Sequence, residues 1–232
     1  MKLLALDTST EACSVALWLD GEARELFELA GQHSERILPM VDALLTEAGL
    51  KLTQLDALAF GRGPGSFTGL RIGAGVAQGL AFGAGLPVVP VSSLAALAQG
   101  QDADQVLAAL DARMRQVYWG AYVRDPHGLM ALQGAEQVLA PEQVPLPKGE
   151  GWAGAGPGWD AYHVALQLRL GGCLAGWQSE QFPHARDLAV LGAAAFQAGQ
   201  AVAAEEAIPV YIRNDVAMKS AGHQGGGSAH GP

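Results

Sequence analysis

Four polar residues, Asp7-Thr8-Ser9-Thr10, close a short apolar run and stand just before a second one, Ser14–Leu19. A carboxylate, three hydroxyls and the backbone amides of a tight turn at one strand end can hold a phosphate or a magnesium–nucleotide. The same hydroxyls can equally bond within their own turn. Asp111 occupies a matching place in the second half of the chain, in Asp111-Ala112-Arg113. There Arg113 puts a long cation where close approach of a nucleotide wants a small residue.

The loop Gly61-Arg62-Gly63-Pro64-Gly65 lies between a strand and a helix, where glycines can cradle an anion. It matches neither nucleotide fingerprint. A Walker loop needs Lys and then Ser or Thr after its last glycine, whereas Ser66-Phe67 follow Gly65, and no ribose-binding acid stands downstream for a Rossmann turn. The Gly-x-Ser-x-Gly elbow is absent, and no histidine pair has helix spacing for zinc. Among the six histidines only His223 and His230 come close together, in the tail, and His33 reads as a capping or surface residue. Cys13 and Cys173 have no paired spacing and read as buried free thiols. No catalytic constellation is complete, and neither a metal nor a cofactor is expected.

The chain has 232 residues, of which 50% are apolar and 16% charged, with 31 glycines. That composition excludes disorder and favours a closely packed globule of one large or two small domains. A net charge of −9 leaves no general footprint for a polyphosphate, so any nucleic-acid contact must be local or shared with a partner. No stretch approaches the ~18 apolar residues of a membrane span. The first apolar run ends at Asp7, too soon for a signal peptide. A reduced, cytoplasmic protein is expected.

Around these residues the sequence reads as strands Lys2–Leu6, Ser14–Leu19 and 23–30, with Asp20-Gly21 a tight hairpin turn. An amphipathic helix follows over His33–Ala48, its apolar residues Ile37, Val41, Leu44 and Ala48 spaced four, three and four, with Gly49 as its stop. Then come a strand at Asp56–Phe60, a helix from Ser66 to about Phe82, a strand at Leu86–Val91, and a helix to Ala98 capped by Ser92 or Ser93. The second half echoes the first: Leu4-Ala5-Leu6-Asp7 returns as Ala108-Ala109-Leu110-Asp111, each leading through a turn into a β-rich stretch, the later one Val117–Val123. Duplication accounts for this order. Lobes of 1–102 and 103–217 are expected, with a helix at 185–204, a terminal strand Val210–Ile212 and a disordered Gly/Ser/His tail at 218–232.

The helix Ser66–Phe82 carries two stripes of small residues, Gly69-Gly73-Ala77-Ala81 and Gly75-Gly79-Gly83. Glycine within a helix costs roughly 1 kcal/mol relative to Ala, so close backbone approach must compensate. One stripe can pack on the chain's own sheet. Two imply two close neighbours, and the helix from His33 is the obvious fellow element of an interface.

With Asp7–Thr10, the stretch Gly63-Pro64-Gly65-Ser66-Phe67-Thr68-Gly69-Leu70-Arg71, Asp111-Ala112-Arg113-Met114 and Pro209–Arg213 in view, the chain resembles the TsaB (YeaZ) family. The resemblance runs from Met1 to about Ala217. It departs at Arg115-Gln116, where Gly-Glu commonly stand in the family. It implies a duplicated actin-like ATPase fold of class α/β, two lobes each with a mixed sheet flanked by helices. It further implies a non-catalytic scaffold or activator of a TsaD-type enzyme, in threonylcarbamoylation of N6 of adenosine 37 of tRNAs reading ANN codons. The implied partners are TsaD as a heterodimer and the ATPase TsaE, with tRNA reached through the complex and a homodimer formed when the chain is alone. TsaD-like chains carry two metal-binding histidines four apart after the Pro-Val strand, and aligned from Pro90-Val91 those places fall at Ser93 and Leu97. Neither supplies the ligand pair, which also speaks against a peptidase. The interface is expected on His33, Ile37, Val41, Leu44 and Leu45 of one helix and on Gly69, Leu70, Gly73, Val76, Ala77 and Leu80 of the next. Asp7, Thr8, Ser9, Thr10 and Asp111 are candidates for a vestigial nucleotide site. The alternative function is a phosphotransferase that holds magnesium–ATP at Asp7 and Asp111.

Overall fold

A computed structural model describes residues 1–29 and 31–213. The tail at 218–232, with His223 and His230, lies outside the described residues.

Strands β1 (Lys2–Asp7), β2 (Ala12–Leu19) and β3 (Glu22–Leu29) form an antiparallel meander. Asp20 and Gly21 turn its first hairpin with φ of 49° and 107°, the conformation that pair tolerates. Helix α1 (His33–Glu47) leads to β4 (Ala57–Gly63), α2 (Phe67–Ala84), β5 (Val88–Ser92) and α3 (Ser93–Gln99). The sheet order is β3-β2-β1-β4-β5, with β4 parallel to both β1 and β5. Leu3, Leu4, Ala5 and Leu6 of β1 are all fully buried because helices cover both faces, so the strand reads as a continuous apolar run.

The second sheet repeats the plan. It contains β6 (Gln105–Arg113), β7 (Gln116–Arg124), β8 (Met130–Leu132), β9 (Gln137–Leu139), β10 (Trp152–Ala155) and β11 (Leu174–Gln178), in the order β11-β10-β6-β7-β8, with β9 also paired to β7. Strand β6 takes the place of β1, with antiparallel β7 on one side and parallel β10 on the other. The echo between Asp7 and Asp111 is therefore structural: Asp7 ends the central strand of its sheet, and Asp111 stands two residues before the end of the equivalent strand of the other. These are the two mixed, helix-flanked sheets that the resemblance implies.

Helices α1 and α2 cover one face of the first sheet, α1 over β2 and α2 over β1 and β4, and Ile37, Val41 and Leu44 share one core with Val15, Leu17, Leu4, Leu6 and Phe60. Its other face is covered by α5 (Ala185–Gln197), whose Leu188 and Ala189 pack on Leu3, Ala5 and Ala59. In exchange, α3 lies under the second sheet, with Leu94 and Leu97 against Val106, Ala108 and Leu110. The other face of that sheet takes α4 (Pro157–Leu170), through Trp159, Leu166 and Leu170.

This exchange corrects the expected boundary. The division near residue 102 separates the sheets, but the chain from residue 185 onward returns to the first lobe, whose sheet would otherwise leave an apolar face bare. The last helix stops at Gln197, not near 204, since Gly199 turns the backbone left-handed at φ 74°. The expected strand Val210–Ile212 joins neither sheet; it is an irregular strap whose Val210 amide donates to the Arg62 carbonyl at 2.8 Å. Helix α4 is an element the sequence reading does not contain, and it is kinked at Tyr162 (φ −135°, ψ 20°), which blurs its apolar period. Among the described residues no helix is long and apolar enough to cross a membrane.

Candidate functional site

The turn after β1 packs against the first turn of α2. Asp7 is buried: one carboxylate oxygen accepts from the Ser9 amide at 2.8 Å and the Ser9 hydroxyl at 2.7 Å, and the other accepts from the Ser93 hydroxyl at 2.8 Å. The Thr8 hydroxyl donates to the Gly69 carbonyl at 2.8 Å, and the Ser66 amide donates to the Ser9 carbonyl at 2.7 Å. The Thr10 hydroxyl accepts from the Ala12 amide at 3.2 Å, while the Thr10 carbonyl meets His33 Nε2 at 2.9 Å. Burial raises the pKa of Asp7, and the bonds from Ser9 and Ser93 oppose that rise.

A Cβ on Gly61 would overlap the Asp7 carboxylate, and one on Gly69 would overlap the Thr8 carbonyl. These glycines, which resemble an anion cradle in sequence, give room to the chain's own turn. Here the structure departs from the expected nucleotide site. Asp7, Thr8 and Ser9 are buried, and their side chains bond within the chain. The phosphotransferase reading loses its basis at this turn.

Asp111 is half-buried and is tied to its own turn, accepting from the Arg113 amide at 2.8 Å and the Arg113 guanidinium at 3.0 Å. The Tyr162 hydroxyl donates to it at 3.3 Å. Sequence marks Arg113 as an obstruction; the structure adds that Arg113, Met114 and Arg115 all have positive φ.

The expected interface residues also need correction. His33, Ile37, Val41, Leu44, Leu45, Gly69, Leu70, Gly73 and Ala77 are buried within this chain, and Val76 and Leu80 pack half-buried against the same core. The reason is geometric: the apolar period of each helix marks the face that the chain's own sheet needs. The stripe of Gly69, Gly73 and Ala77 is the internal one, and a Cβ on Gly73 would stand 2.6 Å from the Thr8 hydroxyl. The stripe of Gly75, Gly79 and Gly83 faces open space. On the same pair of helices Leu38 is 49% exposed and Phe82 81%.

A cluster that sequence reading missed joins the lobes. Glu136, from the segment between β8 and β9, accepts from the Tyr122 hydroxyl at 2.7 Å and from the Ser92 hydroxyl, and lies 3.6 Å from the Arg62 guanidinium. Its partners come from three separate strands, so no local pattern announces it. Burial, with the neighbouring Glu136 charge, pushes the Tyr122 phenol well above its ordinary pKa.

Ser93 and Leu97 are both fully buried, Ser93 bonded to Asp7 and Leu97 within the apolar contact between α3 and the second sheet. Among the described residues no group of three or more His, Cys, Asp or Glu side chains could hold a metal ion.

Comparison with known proteins bears on this arrangement. The family model for TsaD, tRNA N6-adenosine threonylcarbamoyltransferase, matches residues 28–221. The chain is 48% identical over 233 residues to the tRNA threonylcarbamoyladenosine biosynthesis protein TsaB of Escherichia coli K12, covering 94% of this chain and 97% of that protein. It is 44% identical to the protein of the same name from Haemophilus influenzae, with 94% and 96% covered. The solved structure of YeaZ from Pseudomonas aeruginosa superposes with a TM-score of 0.84 at 50% identity, over 90% of this chain and 99% of that one. Two duplicated mixed sheets and likeness along nearly the whole length agree: the chain belongs to the TsaB (YeaZ) family of tRNA threonylcarbamoyladenosine biosynthesis proteins.

Proposed function

We propose that the chain is a non-catalytic subunit of a cytoplasmic tRNA-modifying assembly, which holds a TsaD-type transferase in its working form and is joined by a TsaE-type ATPase. One observation carries this reading. At the two places where the resemblance puts a transferase's metal ligands, this chain has a serine bonded to Asp7 and a leucine built into the core. A leucine offers no donor atom, and the serine's hydroxyl already has a partner.

The surface offered to the transferase is the outward side of α1 and α2. Gly75 and Gly79 there leave room for close helix approach, and Leu38 and Phe82 supply apolar area to bury. A second copy of the chain would use the same surface when the transferase is absent.

The test is a reconstituted reaction containing the transferase, the ATPase, a synthase for threonylcarbamoyl-adenylate and an unmodified tRNA transcript. Modified nucleoside, measured by mass spectrometry, should form only when the chain is added. Full modification without it, at ordinary protein concentrations, would refute the scaffold role.

A further inference from the structure

The tip of the β6–β7 hairpin is Arg113, Met114 and Arg115, with φ of 60°, 52° and 59°. Residues bearing a Cβ are held in that region only where their surroundings over-determine them, and such positions cluster where function needs them. The two-residue turn between the paired Arg113 and Gln116 itself demands positive φ at Met114 and Arg115, and side-chain-bearing residues stand there all the same. The Arg113 side chain is 86% exposed and Met114 is 81% exposed. Asp111 holds the tip from within, and Arg213 holds it from outside, its guanidinium donating to the Ala112 carbonyl at 3.0 Å and the Gln116 side chain at 2.6 Å, one on each shoulder of the turn.

Arg213 belongs to the strap that crosses from the first lobe. Two residues before it, the exposed Tyr211 ring lies 5.6 Å from the Phe67 ring. The Tyr211 hydroxyl accepts from Arg71 at 3.3 Å, and the Arg71 guanidinium sits 3.7 Å over the Phe67 ring. Tyr211 and Arg213 stand two residues apart on the same strap, so the two sets of contacts adjoin. Together they form a line of Arg71, Phe67, Tyr211, Arg213, Arg113 and Arg115. It gathers four of the chain's 14 Lys and Arg residues, although the net charge is −9. Asp111 is the carboxylate paired within it, and Arg71 and Arg115 make no ion pair among the described residues.

We propose, resting on the function inferred above, that this line is where the chain meets tRNA, against the phosphates and unstacked bases of a single-stranded loop. The guanidiniums suit phosphate oxygens, and the exposed Tyr211 ring beside them suits a base released from a stack. A duplex keeps its bases stacked inside and would use the arginines alone. The charge is local, as an acidic chain requires.

The experiment titrates an unmodified tRNA transcript into the assembled complex of chain and transferase, at several salt concentrations, by fluorescence anisotropy. The variant Arg113→Gly/Arg115→Gly removes two charges and also relieves the positive φ, so its melting temperature should hold or rise. Its tRNA affinity should fall by about tenfold, and the slope of log K against log salt should drop by roughly 0.7 for each phosphate that the variant leaves unneutralised. Tyr211→Ala should weaken binding several-fold with the salt slope unchanged, the signature of missing base stacking. Unchanged tRNA affinity in both variants overturns the proposal. So does weakened assembly with the transferase alongside normal tRNA binding by the assembled complex, which would make the line a contact for an acidic protein surface. Binding is read without turnover, so failure of the scaffold role in the reconstituted reaction is judged separately.

Discussion

The Thr8 hydroxyl donates to the Gly69 carbonyl at 2.8 Å, so the turn ending β1 and the first turn of α2 are locked as one unit. Gly69 and Gly73 permit it, because any side chain at either place would enter the space of Thr8. The lock divides the glycines of α2 into an internal stripe and an outward stripe, with opposite consequences for substitution.

Gly73→Leu should destabilise the isolated chain, since overpacking a filled contact costs about 1–3 kcal/mol or more. Gly79→Leu faces open space and should instead gain helix propensity, about 1 kcal/mol or less. If the outward stripe meets the transferase, the same Gly79→Leu chain should bind it at least tenfold more weakly. Thermal unfolding and a binding titration of both variants check this, and equal destabilisation of the two would contradict the division.

Asp7→Ala should remove the acceptor for three donors, the Ser9 amide, the Ser9 hydroxyl and the Ser93 hydroxyl. Leaving buried donors unpaired costs about 1–3 kcal/mol each where water cannot replace the acceptor. Ser93→Ala removes one bond and should cost about 1 kcal/mol. Denaturant titration of the two variants should rank them in that order. A neutral Asp7→Ala would mean that the turn is less tightly integrated than its bonds indicate.

Asp187 sits on α5 with one buried carboxylate oxygen that accepts no hydrogen bond, 3.7 Å from the Arg186 guanidinium and 2.5 Å from where a Cβ on Gly100 would stand. Burial pushes its pKa up to about 6 from an ordinary 3.8, and Arg186 and His184 oppose the rise. A raised carboxyl pKa means that the folded state holds the proton more tightly, so this group's contribution is favourable at acid pH and is lost as pH rises from about 4 through 6. A shift of this size corresponds to a penalty of order 3 kcal/mol above that window. Asp187→Asn should therefore stabilise the chain at pH 7.5 and matter little at pH 4. Melting temperatures of both chains across that range give the answer, and a difference that does not grow with pH would sink the assignment.

Glu136→Ala should leave the Arg62 charge and the Tyr122 and Ser92 hydroxyls without their common acceptor. Breaking a mostly buried charged cluster from one side costs roughly 3 kcal/mol. The effect should fall first on the contact between lobes, so amide exchange should quicken around β8, β9 and Ser92 before it does in β1. Uniform quickening across both sheets would show that Glu136 does not act as a latch between them.

Much of the fold is legible in the chain itself. The continuous apolar run of β1 is the mark of a strand covered on both faces, Asp20-Gly21 permits its hairpin turn, and the 3.6-residue period of Ile37, Val41 and Leu44 marks a helix with one apolar face. The recurrence of Leu4–Asp7 as Ala108–Asp111 announces the duplication, because equivalent strands need similar side chains. Local pattern reports that a residue will be buried, but not against what. Only the tertiary structure decided that Ile37 and Gly73 face the chain's own sheet while Gly79 faces outward, that α3 and α5 exchange lobes, and that Asp7 bonds to Ser93. The same holds for Glu136 and for the line from Arg71 to Arg115. Their members lie far apart in sequence and meet through sheet order and helix packing, contacts that a one-dimensional period cannot encode.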